Sequence, residues 1–546
     1  MTERLTRSRL LGGMASIVAG IALAPRSALA ARGFAPRLAR VAVRNIGRPY
    51  EGDHPLFATI SPGVLGRDGA ILSFELLAHA HVIVEVIRTA LRKRTVVTTF
   101  QGSFNAGPGE LRWKPDPALP VGTYVLRITV EAAGRAPRVY GGSRPLIPGR
   151  SQVPVVRILG IEAACDRRSY APGDLIRLSV FSDATRLTLQ ILHSGPEEQY
   201  TDRNDAMSGV QVDKLLTLPW HRNRDATAPV KLRAGATWPT GMYAARFTAP
   251  NGRQGFAPFV LRPKRLGSTR QAVVMPTNTW QAYNFYDANG DGFGDTWYAG
   301  GTPPVDLTRP YRERGVPPRF HRYDAPFLHW LTWAGKTPDF LCDDDLDAMK
   351  SGDQLRALYD LIVFPGHTEY ETTHVYNVMQ RYRDLGGRLI FLSANSFFWK
   401  IERTRNELRR IKLWRDLGRP EASLMGGQYR ANDDGSHQGV FYVANSAKVP
   451  WLYKGTLLQD GSPFGVDVGG YGIEIDATTR RSPAGTTVVA VIPNIFGKGI
   501  NAEMTYYETA AGARVFNAGA LDFSGSVMFE PMRTMLANLW AHMTTP

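Results

Sequence analysis

The sequence predicts a multidomain protein, with two all-β sandwiches followed by an α/β domain built on a parallel sheet. Three observations carry this. Residues 57–264 hold short runs that alternate apolar and polar side chains between Pro and Gly turns, the pattern of half-buried strands. One closing pattern occurs twice, at Leu119-Pro120-Val121-Gly122-Thr123-Tyr124 and Trp238-Pro239-Thr240-Gly241-Met242-Tyr243: an apolar residue, Pro, a Gly turn, then a Tyr that opens a strand. From about residue 270 the grammar changes to unalternated apolar runs of four residues, followed by helical spacing. At 546 residues and 43% apolar content, the chain is long enough for about three domains with cores of their own.

The N-terminus carries the pattern of a secretory signal at residues 1–30. Arg4, Arg7 and Arg9 precede an apolar stretch over 10–24, and Ala28-Leu29-Ala30 supplies a cleavage site before Ala31. A secreted, periplasmic or cell-surface protein is therefore expected. Ser8 separates Arg7 from Arg9, so the general secretory and twin-arginine routes both stay open. No other segment approaches the apolar length that spans a bilayer, so no transmembrane segment is expected. The formal charge is +16, and loss of four Arg and one Glu with the signal leaves +13. A basic envelope suits acidic surroundings such as anionic cell-wall polymers or lipid headgroups. A specific nucleic-acid partner is not expected. The basic residues are dispersed, and the densest cluster, 403–415, is interleaved with Glu407 and Leu408 and reads as a solvated helix face. Two cysteines, Cys165 and Cys342, exclude a disulfide framework and leave one interdomain bridge open. Residues 31–56, rich in Arg and Ala without a sustained period, read as a leader or surface-wrapping segment.

The first sandwich, residues 57–150, is read from Ile71-Leu72-Ser73-Phe74-Glu75-Leu76, His81-Val82-Ile83-Val84-Glu85-Val86 and the closing hairpin at Leu119. The second, residues 155–264, opens at Tyr170-Ala171-Pro172-Gly173-Asp174 and closes at Trp238. Both resemble bacterial immunoglobulin-like modules, a generic fold that carries no function by itself. His193, Trp220 and His221 are read as ordinary loop and core residues with a ligand-facing role as the alternative.

In the α/β region, residues 270–546, the informative stretch is 361–400. Leu361-Ile362-Val363-Phe364 is a strand covered on both faces, and the chain turns at Pro365-Gly366 into His367, Glu369 and Tyr370. Val375, Val378, Met379 and Tyr382 line one helix face that stops at Gly386-Gly387. Leu389-Ile390-Phe391-Leu392 then leads into Ser393-Ala394-Asn395-Ser396. A right-handed crossover returns a parallel strand, so both polar segments emerge at one sheet edge, where open sheets keep their sites. Neither serine has a nucleophile-elbow flank, and a Ser396 and His367 pair is a weak proposal.

Two further polar stretches stand out. Asp287, Asn289, Asp291 and Asp295 offer oxygens at positions one, three, five and nine of a loop with Gly292 at six, as in exported calcium loops, against the alternative of a plain Gly-rich turn. Asp343, Asp344, Asp345 and Asp347 read as the capped, acidic first turn of a helix. Met532, Met535, Leu536 and Leu539 mark a closing amphipathic helix.

The third region resembles the large (beta) subunit of N,N-dimethylformamidase. The motifs, in order, are Pro276-Thr277-Asn278-Thr279-Trp280-Gln281-Ala282-Tyr283-Asn284, Arg309-Pro310-Tyr311, Leu328-His329-Trp330-Leu331 and Gly366-His367-Thr368-Glu369-Tyr370. Asn395-Ser396-Phe397-Phe398-Trp399, Arg419-Pro420-Glu421, Gly472-Ile473-Glu474-Ile475-Asp476 and Val515-Phe516-Asn517-Ala518-Gly519 complete the series. The resemblance implies a flavodoxin-like sheet of the class I glutamine-amidotransferase kind. It also implies hydrolysis of a small formamide at one iron held by two tyrosinates and a glutamate. Motif by motif, the ligands fall on Tyr370 and Glu474, and the second tyrosine falls on Phe398, which cannot ligate. His367, Glu369 and Asn395 are then the neighbours that could complete an oxygen and nitrogen site for zinc or manganese, and they are the candidate catalytic residues.

The function expected is thus an exported, metal-dependent amidohydrolase acting on a small amide or related C–N bond, with iron or zinc and calcium as the metals. The rival is an adhesion or scaffold protein that keeps the fold without a complete metal site. A cell-envelope carbohydrate binder, with Trp280, Trp297 and Tyr298 as stacking residues, is a third reading. An oligomer is compatible with all three.

Overall fold

The computed structural model describes residues 37–62, 64–89, 94–141, 154–298 and 301–545. The expected signal at residues 1–30 and the first residues of the leader lie outside the described residues. Contacts divide the chain into two units. The first is formed by the described residues of Met1–Leu119, Thr123–Ile158 and Asn289–Thr302, the second by Pro120–Gly122, Leu159–Ala288 and the rest of the chain.

The first unit holds a three-stranded sheet, Leu38–Asn45, Ala70–Leu76 and Gly107–Trp113, and a larger sheet centred on Ala80–Thr89 and Gly122–Glu131. Period-two alternation sends Leu72, Phe74, Val82, Val84, Trp113, Tyr124 and Ile128 into one shared core. Order begins earlier than the sequence suggests. Leu38–Asn45, inside the stretch read as a leader, is a strand paired antiparallel with Ala70–Leu76. Phe293, from the loop read as a calcium site, packs against Phe57, Val125 and Val155 of this unit.

The second unit begins with two more sheets around a core of Tyr170, Ile176, Leu178, Leu187, Trp220, Tyr243 and Phe259. Its closing hairpin is pinned locally: the Tyr243 hydroxyl donates to the Pro239 carbonyl at 2.7 Å, and the ring stacks on His193 and Trp238. Trp220 is buried and donates to the Ser182 carbonyl, while His221 is exposed. Cys165 and Cys342 are both free thiols, so the bridge left open by the sequence is not formed.

The remaining chain builds a nine-stranded sheet. Its order is Asp339–Cys342, Gln271–Met275, Leu361–Phe364, Arg388–Phe391, Arg514–Asn517, Ala502–Glu508, Thr487–Ile492, Phe441–Val443 and Pro463–Phe464. The first five are mutually parallel and the last four join antiparallel. This corrects the expected α/β flavodoxin-like fold. A doubly wound sheet needs a crossover helix for every parallel step, whereas here strand outweighs helix, 39% against 15%, and the chain between Arg388–Phe391 and Arg514–Asn517 consists mainly of short strands and turns. The basic stretch 403–415 is also not a helix. It falls on the Trp399–Arg403 and Glu407–Leu413 hairpin and the start of the 3-10 turn Trp414–Leu417, with Arg410 lying over the Trp399 ring.

Both faces of the parallel half are packed. Ala272, Val274, Ile362, Phe364 and Phe391 face one core; Val273, Met275, Val363 and Ile390 face the other. The Met532–Thr544 helix closes the second face with Met532, Met535, Leu536 and Leu539. Among the described residues, no helix is long and apolar enough to cross a membrane. Phe364 is fully buried, stacked on Phe391 at 4.9 Å between centroids and edge-on to Phe397. Phe364→Ala is expected to cost about 3–5 kcal/mol in urea unfolding, through lost transfer energy and an unfilled cavity.

Candidate metal centre

Parallel strands end at one edge, and four of them deliver polar segments there. Gln271–Met275 runs into the Thr277–Ala282 helix, Leu361–Phe364 into His367 and Glu369, Arg388–Phe391 into Asn395 and Ser396, and Arg514–Asn517 ends on Asn517. Glu474 arrives from a separate strand, Glu474–Ala477, pinned to that edge where Leu521 N–H donates to the Glu474 carbonyl and Asp476 N–H to that of Gly519. Gly366 has a steric cause. A Cβ there would fall 2.3 Å from Asp324 Oδ1.

The three side chains meet. His367 Nε2 lies 3.3 Å from Glu474 Oε2 and 3.6 Å from Glu369 Oε2, and one ligand atom from each residue falls within 4.8 Å of the other two. Among the described residues this is the one cluster of His, Cys, Asp and Glu with metal-ligand spacing. All three are buried, at 7%, 0% and 8% exposure for His367, Glu369 and Glu474, which puts two carboxylates and an imidazole in a low-dielectric pocket.

Surrounding groups fix their aim. Asn395 Nδ2 donates to Glu474 Oε2 at 2.7 Å, and its backbone N–H donates to Asp476 Oδ1 at 2.8 Å. Asn517 holds the other Asp476 oxygen. The Tyr283 hydroxyl donates to Glu369 Oε2, and its ring lies beside His367 and edge-on to Tyr370. Thr279 Oγ1 accepts from the Glu369 N–H, and Asn278 Nδ2 donates to the Tyr370 carbonyl. Asn395, Phe397 and Ile473 take positive φ of 55°, 53° and 67°, a strained region for side-chain-bearing residues and above all for β-branched Ile473, directly before Glu474. Asn395 Oδ1, Ser396 Oγ and His367 Nε2 are buried without a hydrogen-bond partner in the protein.

The structure thus brings His367, Glu369, Asn395 and Glu474 together. Tyr370 is fully buried next to Glu369 on the short strand Tyr370–Thr372. Phe398 packs its ring on Tyr429, with the Arg415 guanidinium 5.0 Å from its centroid. The two-tyrosinate set implied by the resemblance does not fit this chain; an imidazole with two carboxylates does fit a cation that takes nitrogen and oxygen ligands. Tyr283, Asn278, Thr279 and Asp476 were not singled out as site residues, although the motif segments 276–284 and 472–476 contain them. In the expected calcium loop, Asn289 Nδ2 donates to Asp295 Oδ1, and the Asn289 and Asp291 side chains accept the N–H groups of Asp291 and Phe293. The Asp343–Asp347 helix follows its strand directly, with Asp345 accepting the Cys342 N–H, and Asp343 accepts from Thr277 and Asn278. Trp280 and Trp297 are buried, so the aromatic stacking surface expected of a carbohydrate binder is reduced to Tyr298.

A mixed sheet whose parallel edge gathers buried carboxylates and a histidine defines the class, and the family follows from comparison. Residues 190–535 match the model of the N,N-dimethylformamidase beta subunit-like C-terminal family, and the chain belongs to that family. The match begins within the second sandwich, ahead of the boundary at 270 expected from motifs. The N,N-dimethylformamidase beta subunits of Alcaligenes sp and Paracoccus aminophilus are 23% and 22% identical to it, over 45% of this chain. The chain spans about 39% of the length of these curated relatives. Among solved structures, Salmonella alpha-2-macroglobulin reacted with methylamine aligns at 11% identity and a TM-score of 0.20, covering 41% of this chain and 16% of that one. Red sea bream transglutaminase aligns at 10% identity and a TM-score of 0.17, covering 42% and 32%.

Behind Phe398, Arg415 binds Glu421 through two nitrogens, and burial pushes the Glu421 carboxyl up to about 7 against the pull of Arg415. A carboxyl with a raised folded-state value favours the folded state while protonated, so its contribution is lost as pH rises from its ordinary 4.5 towards about 7. Urea midpoints measured across that window should fall with pH in the wild type and fall less steeply in Glu421→Gln.

Proposed function

We propose that this chain is a metal-dependent hydrolase of small amide C–N bonds, exported from the cell, with His367, Glu369 and Glu474 holding the metal. The carrying observation is their convergence. Two buried carboxylates set against one imidazole repel each other unless a cation or a proton stands between them. Family membership supports the reaction class, and the donor set supports zinc, manganese or ferrous iron over a ferric bis-tyrosinate centre.

A bound metal would supply a Lewis acid for the amide carbonyl and would acidify a water molecule. The protein's own groups do the rest. Asn395 holds the Glu474 carboxylate by Oε2, and Tyr283 holds that of Glu369, so both acids are aimed before substrate arrives. Asn395 Oδ1 is free to accept an amide N–H, and Ser396 Oγ can orient water or substrate. In hydrolysis, water adds to the carbonyl carbon, the C–N bond breaks, and the leaving amine takes a proton. The Tyr283 hydroxyl on Glu369 is a short route for that proton.

Elemental analysis of the purified protein is expected to show about one zinc, manganese or iron per chain, as a three-residue catalytic site requires. His367→Ala and Glu474→Gln should remove that metal together with amine release from small amides. Amide hydrolysis that persists in metal-free protein would sink the proposal. Asn395→Ala and Tyr283→Phe leave the ligands in place, and each is expected to weaken metal affinity by about 10–100-fold in a competitive chelator titration.

A further inference from the structure

A second set of unpartnered buried oxygens lies where the Asp343–Asp347 helix meets the short strand Tyr370–Thr372. Hydrogen bonds on either side of Glu371 hold the two elements together. Thr372 Oγ1 donates to Asp347 Oδ1 at 2.8 Å. Asn278 bridges from the other side: its backbone N–H donates to Asp343 Oδ2 at 2.6 Å and its Nδ2 to the Tyr370 carbonyl at 3.3 Å. Glu371, Asp343 and Asn278 are 0%, 1% and 2% exposed. Both carboxylate oxygens of Glu371, with Asp343 Oδ1 and Asn278 Oδ1, have no hydrogen-bond partner in the protein, so the cluster offers acceptors and no donor.

Charge is unbalanced there as well. Among the described residues no cationic side chain forms an ion pair with Glu371; Arg403, which attracts it from further off, is paired with Asp344, and Asp344 also takes Arg168. Asp343 and Asp347 act on Glu371 as like charges. We propose that Glu371, Asp343 Oδ1 and Asn278 Oδ1 bind one hard divalent cation of the magnesium, manganese or calcium class. Carboxylate and amide oxygens are the ligands such ions select. A bare ion held by oxygens at about 2.0–2.6 Å fits an interstice too tight for a water molecule, and its charge matches that of the two acids. It would tie the Asp343–Asp347 helix to the strand that follows Glu369. The site uses no residue of the proposed hydrolase centre and does not depend on it.

Crystals of the full chain, purified and grown in manganese chloride, test the proposal on the unaltered protein, because manganese scatters anomalously and suits both sites. A peak between Glu371 and Asp343 is expected in addition to one at His367. A peak at His367 alone, as two acids sharing a proton would give, overturns this proposal and leaves the hydrolase centre standing; a peak at Glu371 alone does the reverse. In solution, His367→Ala protein freed of metal by a chelator should gain about 3 °C in thermal midpoint, saturably, on addition of manganese chloride. Adding Glu371→Gln to that variant should abolish the gain. An equal gain in both proteins, or none in either, would also overturn the proposal.

Discussion

Glu369 and Glu474 are buried against the same imidazole, and much of the surrounding backbone serves to keep them there. At a separation of about 4–5 Å and an effective dielectric of about 20, two such charges repel by roughly 3–4 kcal/mol. The side chains alone would relax apart. What prevents it is main chain: Phe398 and Trp399 both donate to the Glu369 carbonyl, Leu521 donates to that of Glu474, and Ile473 is held at a φ that a β-branched residue avoids. Neutral donors then reach the same carboxylate oxygens that face His367, with Asn395 on Glu474 Oε2 and Tyr283 on Glu369 Oε2.

The parallel half of the nine-stranded sheet is what brings these residues to one edge. It was legible, because Leu361–Phe364 and Arg388–Phe391 are covered on both faces and so read as unbroken apolar runs ending in polar turns. The antiparallel half was not. Phe441–Val443 and Pro463–Phe464 have three and two residues, too few to show a period, and a local strand-helix-strand pattern upstream invited extrapolation to a full doubly wound sheet. Leu38–Asn45 escaped notice for a related reason: its residues, LARVAVRN, follow no period of two, because a bulge between Ala39 and Ala42 breaks the alternation.

For the site, adjacency in sequence decided what could be seen. His367 and Glu369 follow a strand directly, and Asn395 follows the next. Glu474 lies far along the chain and was reachable only through the resemblance of its motif. Tyr283 was hidden by its position at the end of a six-residue helix, where no spacing rule distinguishes a phenol aimed at Glu369 from one packed in a core. Trp280 misled in the opposite direction. An aromatic in a polar segment looks available for stacking, yet its indole N–H is spent on buried Asp324.

Asp344 receives Arg168 from the second sandwich and Arg403 from the hairpin beside the site, while Asp345 receives Ser169 and Arg262. Ionic contacts of this kind make the apparent seam near residue 265 a poor place to cut. The second sandwich is therefore coupled electrostatically to the chain around the nine-stranded sheet, and exchanging it for another sandwich of the same shape would strand buried charges on both sides. The family match begins at residue 190, so Arg168 and Ser169 lie ahead of it and their contacts tie residues outside the matched stretch to residues inside it.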